Sequence, residues 1–258
     1  MAKEAPTYQG LRRFNIAMGL LHLFQATLLL AISSSYTLPI TSSFLKYNTI
    51  TQHLDPTIQT VYNLPIAPMI ALFLLISASD HLILSTPRAF KWYVANLENH
   101  INYARWIEYA VSSSVMIVVI SMLVGIYDIV SLIAIFSVNA CMNLFGMLME
   151  MYNQKRDKVN WTPFFFGTLA GIVPWIGITI YLVGSGSMSS NSVPTFVYFI
   201  FISLAVFFFS FAFNMILQYR KVGKWKNYLY GEYIYIVLSL VAKTALAWQV
   251  FVGTLRPV

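Results

Sequence analysis

Lys243 lies in Leu238-Ser239-Leu240-Val241-Ala242-Lys243-Thr244-Ala245-Leu246-Ala247-Trp248, a run with no other charged residue. A charge at mid-bilayer costs ~3 to 17 kcal/mol, so a lysine there needs a partner or a chemical role. An amine stripped of water is more readily neutral, and a neutral amine condenses with an aldehyde. The resulting Schiff base, once protonated, requires a negative partner. Glu108, in Arg105-Trp106-Ile107-Glu108-Tyr109-Ala110-Val111-Ser112-Ser113, is the one acidic residue well inside its apolar run. Both runs start from the same face, and helical side chains lean toward the N-terminus of their helix. Lys243 and Glu108 therefore tilt the same way, which brings the deeper lysine nearer the shallower glutamate. Two alternatives stand beside this reading. A snorkelling Lys243 would have to cover ~15 Å with a stem of ~6 Å. Glu108 near a helix start could instead pair with Arg105 at i−3.

A second constellation shares the half of the chain that holds Glu108. His22, His81, Asn15, Asn102 and Arg105 fall there, and together they suggest a water-filled, proton-accepting cavity. Asp80 and Glu150 stand close to helix ends and read as carboxylates snorkelling to the interface. The opposite half is bare: Leu23 to Ser35, Leu64 to Leu75, Ser114 to Gly125 and Thr244 to Thr254 contain no Asp, Glu, Lys, Arg or His. Hydrocarbon does not conduct protons, so this half argues against vectorial transport.

The elements that position these residues follow from composition. Of 258 residues, 58% are hydrophobic and 10% charged, against roughly 25% charged in a soluble domain. Runs of about 20 apolar residues span a bilayer as helices. Seven such runs appear: A 12–35, B 64–85, C 102–125, D 128–152, E 161–184, F 193–220 and G 230–254. The expectation is an all-α membrane protein, one seven-helix domain over 1–258 in the cell membrane, with lipid around it. The first run is too long for the apolar part of a cleaved signal peptide. The A–B connection is too long for a turn, and Lys46 to Gln52 and Thr57 to Tyr62, flanking Asp55-Pro56, read as a β-hairpin over the membrane surface.

Thirteen of the sixteen Lys and Arg residues fall before A or in the B–C, D–E and F–G connections and their edges. Only Lys46 and Arg256 fall on the other side, which predicts a cytoplasmic N-terminus and an extracellular C-terminus. The basic excess is thus a topology signal, and no nucleic-acid partner is expected. Cys141 is the only cysteine, which excludes an internal disulfide and a cysteine-based metal site. Gly167-Thr168-Leu169-Ala170-Gly171 permits close helix approach, within the bundle or in a dimer.

Seven helices, a lysine in the last and Arg-x-x-acid in the third resemble the microbial rhodopsins. The familiar pumps of that group keep the N-terminus outside and carry a carboxylate four residues before the lysine. Here that place is Ser239. Inverted orientation, a single Glu, this serine and the long A–B hairpin resemble the heliorhodopsin family across essentially the whole chain. The resemblance implies retinal bound covalently to Lys243, all-trans in the dark, with Glu108 as counter-ion and Ser239 hydrogen-bonding nearby. It implies a retinal pocket along Tyr109, Ser112, Ser113 and Met116, closed by Trp175, Phe207 and Phe211. It also favours the histidine cavity and a homodimer.

Three function classes follow. One is a retinal photosensor signalling to a cytoplasmic partner. The second is a light-driven pump or channel, and the third a non-photoactive transporter using the Lys243/Glu108 pair. No metal-ligand cluster, phosphate loop or nucleophile triad suggests an enzyme. The N-inside orientation excludes a G-protein-coupled receptor.

Overall fold

The computed structural model describes residues 6–188 and 195–255. Lys3 and Arg256, used above for topology, and the first two residues of span F lie outside them. The elements run α1 Tyr8–Ile32, β1 Thr37–Asn48, β2 His53–Pro65, α2 Ile66–Leu84, α3 Pro87–Glu98, α4 Tyr103–Leu123, α5 Ile129–Asn153, α6 Thr162–Met188, α7 Thr195–Tyr219 and α8 Tyr228–Val250. Seven of these eight helices are long and apolar enough to cross a membrane. The chain is therefore a multi-pass membrane protein. Its lipid-facing surface carries Phe24, Leu169, Val130 and Phe199, all more than half exposed, as the bilayer requires.

Helix A begins four residues earlier than expected because Thr7 caps it, its hydroxyl accepting from the Gly10 N–H at 3.0 Å. It ends at Ile32, since Ser33 is already extended. Helix α3 was not anticipated. Pro87 occupies its first turn, and Phe90, Tyr93 and Leu97 recur at helical spacing to cover Leu11, Leu84 and Ile236. Its polar, charged remaining face is what hid it from an apolar-run search.

The A–B connection forms a two-stranded antiparallel hairpin, but longer than expected and with a different turn. Asn48 pairs with His53, and the Asn48 side chain accepts from the N–H groups of Ile50 and Thr51. Asp55-Pro56 instead lies within β2, opposite Lys46 and Leu45. A two-stranded ribbon has only edge positions, and an edge tolerates a proline. The Thr41 N–H donates to the Tyr127 carbonyl at 2.8 Å, which anchors the hairpin to the α4–α5 connection.

Beyond the cluster beneath α3, two packing zones fill the bundle. A dry zone gathers Leu29, Phe73, Ile117, Met122 and Val250, while a second, around Trp106, Tyr109, Met149 and Tyr235, borders the polar half. The glycine pair of α6 faces α5. A Cβ at Gly171 would lie 2.5 Å from the Met142 sulfur, and one at Gly167 3.3 Å from the Met142 carbonyl oxygen. The motif therefore serves close packing within the chain.

Candidate functional site

Helix α8 carries Lys243 inward, where it is 3% exposed, and α4 brings Glu108, 7% exposed, to meet it. The ammonium Nζ lies 2.9 Å from Glu108 Oε1 and 2.9 Å from Ser239 Oγ, one turn earlier on the same face. From α2, the Ser77 hydroxyl donates to the same Glu108 oxygen at 2.6 Å. The amine stands 5.3 Å from the centre of the Tyr109 ring, whose hydroxyl is fixed to the Tyr235 carbonyl at 2.9 Å. Such a buried pair survives desolvation because each charge finds additional hydrogen bonds.

On one side of this pair lies an apolar cavity of about 70 Å³. Lys243 and Ser239 stand at its head. The other residues expected for a pocket, Tyr109, Ser112, Ser113, Met116, Trp175, Phe207 and Phe211, all line it. Trp175 meets Phe208 and Phe201 edge-on at 5.4 Å, and Phe211 meets Tyr109 at 5.3 Å. These contacts lock the aromatic walls. One flank is polar: Asn139 and Asn143 of α5 donate to Ser113 Oγ at 2.8 and 3.0 Å.

A small polar cavity lies on the other side, lined by Asn15, Asp80, His81, Asn102, Arg105, Glu108 and Glu232 among others. His81 Nδ1 is 2.7 Å from Asn15 Oδ1, and the His22 ring stacks parallel to His81 with centroids 5.8 Å apart. Neither nitrogen of the fully buried His22 has a protein partner. Tyr93 of α3 also lines this cavity. Burial, then the negative Glu232 and Asp80, push its phenol above the ordinary value, so it stays a neutral hydroxyl.

The structure corrects two readings here. Glu150 does not snorkel: it is 2% exposed and pairs with the Arg105 guanidinium. It also accepts from Trp106 Nε1 at 2.7 Å and the Asn102 N–H at 2.9 Å. Asp80 is half-buried against the polar cavity rather than at a free surface. The i−3 alternative for Glu108 is not formed, because Arg105 turns instead to Glu150 and to Glu232, 2.9 Å away. The guanidinium is stacked 3.8 Å from the Tyr235 ring centre and 4.5 Å from that of Trp106. Trp106 reaches α5 only because residue 146 is glycine; a Cβ there would fall 2.3 Å from the indole.

The heliorhodopsin family model matches residues 11–255. The chain belongs to the heliorhodopsin family. No curated protein matches it. Membership makes it a rhodopsin of a retinal-binding group, and the residues of this heliorhodopsin fit that group. Lys243 is the only buried lysine among the described residues, and its amine opens on an apolar, aromatic-walled cavity.

Ser77, Glu232, Asn139 and Asn143 escaped the sequence reading. A serine or asparagine inside an apolar helix carries no mark of which face it occupies. Glu232 did leave a signal, as an acid beside the start of helix G on the same side as Arg105 and Glu150. One buried arginine with two candidate acids on facing helices is a legible triad, whereas helical spacing along one run points only to Glu108.

Proposed function

We propose that this heliorhodopsin is a light sensor that carries retinal covalently on Lys243 as a protonated Schiff base, all-trans in the dark, with Glu108 as counter-ion. The observation that carries the reading is the 2.9 Å approach of Lys243 Nζ to Glu108 at the head of the aromatic cavity. Bound retinal supplies light absorption and isomerisation, which are the cofactor's own chemistry. The protein's residues do the rest. Lys243 anchors the ligand, and Glu108, held by Ser77, balances the positive charge. Tyr109, Trp175, Phe207 and Phe211 exclude water and restrict the ligand's shape. A proton leaving the Lys243 nitrogen has Glu108 as nearest acceptor, with His81 and Asn15 beyond it and His22 against His81.

Signalling is favoured over transport by the polarity gradient. Every Asp, Glu, His and Arg near the pair lies on the side of the polar cavity, while α1, α2, α4 and α8 beyond it hold none among the described residues. The polar side is the cytoplasmic one if the N-terminus is inside, as loop charges imply. A cytoplasmic partner and a homodimeric assembly complete the reading. Two measurements test it together. Apoprotein incubated with all-trans retinal should gain a visible absorption band that Lys243→Ala lacks, and flash-excited protein under voltage clamp should pass no steady current. A colourless wild type, a coloured Lys243→Ala or a sustained photocurrent would each overturn the corresponding part.

A further inference from the structure

A roomier cavity than the one at Lys243 lies outside the site described above. It is a vestibule of about 390 Å³ at the polar end of the bundle, where the α3–α4, α5–α6 and α7–α8 connections converge. We propose that this vestibule binds a small phosphate-bearing anion.

Three observations carry the proposal. First, the rim is cationic and unpaired. Arg156, Lys221 and Lys226 line it, with His100, against Asp157; the other lining acid, Glu150, is already neutralised by Arg105. Among the described residues every ion pair is buried, and none involves these three cations. Second, two of the rim residues sit where glycine is usual. His100 and Lys221 each follow a helix end in the left-handed region, with φ of 56° and 52°. Each closes its helix with a six-to-one bond, Ile101 N–H to Asn96 and Val222 N–H to Leu217. Placing a cationic or ionisable side chain there carries backbone strain that glycine would avoid, and strain of this kind gathers at functional sites. Third, the loops are fixed rather than loose. Asn153 and Asn160 exchange hydrogen bonds across the α5–α6 connection, and Trp225 Nε1 donates to Asn214 at 2.7 Å in the α7–α8 connection.

Topology alone asks only that basic residues sit in cytoplasmic loops; it does not ask three loops to share one concave site. Helix ends favour a cation, but that term falls off within the last turn and does not create a cavity. Three cations around one concave hollow match a compact polyanion, whose phosphate oxygens accept several charge-assisted hydrogen bonds at once.

The test uses the retinal-loaded protein in detergent, in the dark, with pyrophosphate as probe and calorimetry as readout. Wild type should bind saturably. Lys221→Gly/Lys226→Ala should weaken binding at least tenfold, while Lys155→Ala, which removes a loop cation outside the cavity, should not. Lys221→Gly removes the strained side chain, so the double variant keeps its helix end and its colour. In nanodiscs, loss of pyrophosphate binding on changing neutral for anionic phospholipid would assign the phosphate to a lipid headgroup, and retained binding to a soluble molecule. Absence of saturable binding by wild type, or equal binding by the double variant, overturns the proposal. Because the dark visible band is recorded in every sample, this failure is distinct from failure of the light-sensor reading.

Discussion

Replacing Arg105 by glutamine tests the charge arithmetic of the polar half. The guanidinium serves two buried carboxylates, Glu150 and Glu232, the latter at 2.9 Å. At that distance and an effective dielectric of 20, one such attraction is worth about 6 kcal/mol before desolvation is subtracted. Breaking a buried pair by removing one partner costs about 3–5 kcal/mol in practice, because the remaining charge stays buried. Arg105→Gln leaves two like charges facing one another and belongs at the upper end. At about 2–4 °C per kcal/mol for a chain of this size, the midpoint of thermal bleaching should fall by roughly 10–20 °C. Glu232→Gln behaves differently, since it leaves a balanced Arg105–Glu150 pair. Its loss should stay near 1 kcal/mol, set by the new amide facing the Asn102 Nδ2 that now donates to Glu232 at 2.7 Å. The double variant Arg105→Gln/Glu232→Gln should recover part of the single Arg105→Gln loss. Thermal bleaching of the four proteins in one detergent closes the cycle. Equal damage from both single variants, or strict additivity in the double, would refute the charge count.

Other predictions follow from individual contacts. Ser77→Ala removes a 2.6 Å donor from Glu108 and should cost about 1–3 kcal/mol while shifting the dark absorption band; an unchanged spectrum would separate Ser77 from the chromophore. Gly146→Ala puts a methyl carbon 2.3 Å from the Trp106 ring and should destabilise by about 1–3 kcal/mol as the indole withdraws from Glu150, read as a change in Trp fluorescence and melting midpoint. Asp128 caps α5, and the N–H and hydroxyl of Ser131 hold its carboxyl below the ordinary range. Asp128→Ala should therefore cost about 1 kcal/mol at neutral pH. A depressed native value means the capping contribution is complete above the ordinary carboxylate pKa and is lost as pH falls through the native one. The gap between wild type and Asp128→Ala should close in acid, and a constant gap would contradict the cap.

Much of the fold was legible because the bilayer imposes a one-dimensional rule. A helix that crosses hydrocarbon must be apolar for its full length, so each of the seven spans announces itself in its own residues and ends within a few positions of its charged flanks. The same rule exposed Lys243 and Glu108, since a charge inside such a run is conspicuous whatever surrounds it. Helix α3 obeys a different rule. It lies off the spanning set, half polar, and its periodic face of Phe90, Tyr93 and Leu97 was needed to see it. The hairpin turn was misplaced because Asp-Pro is a strong local turn signal, and here the local preference yields to the register of the paired strands.

What tertiary structure alone decided is who meets whom. Hydropathy placed Arg105, Glu108 and Glu150 in the same half of the membrane, but rotation of each helix about its axis selects the partner, and rotation is set by packing among neighbours. Gly146 admits Trp106, Trp106 and Asn102 hold Glu150, and Arg105 is thereby turned away from Glu108, which is left to Lys243 and Ser77. Depth in the membrane is written along the chain in hydropathy; azimuth around each helix is written only in contacts between chains of residues far apart in sequence.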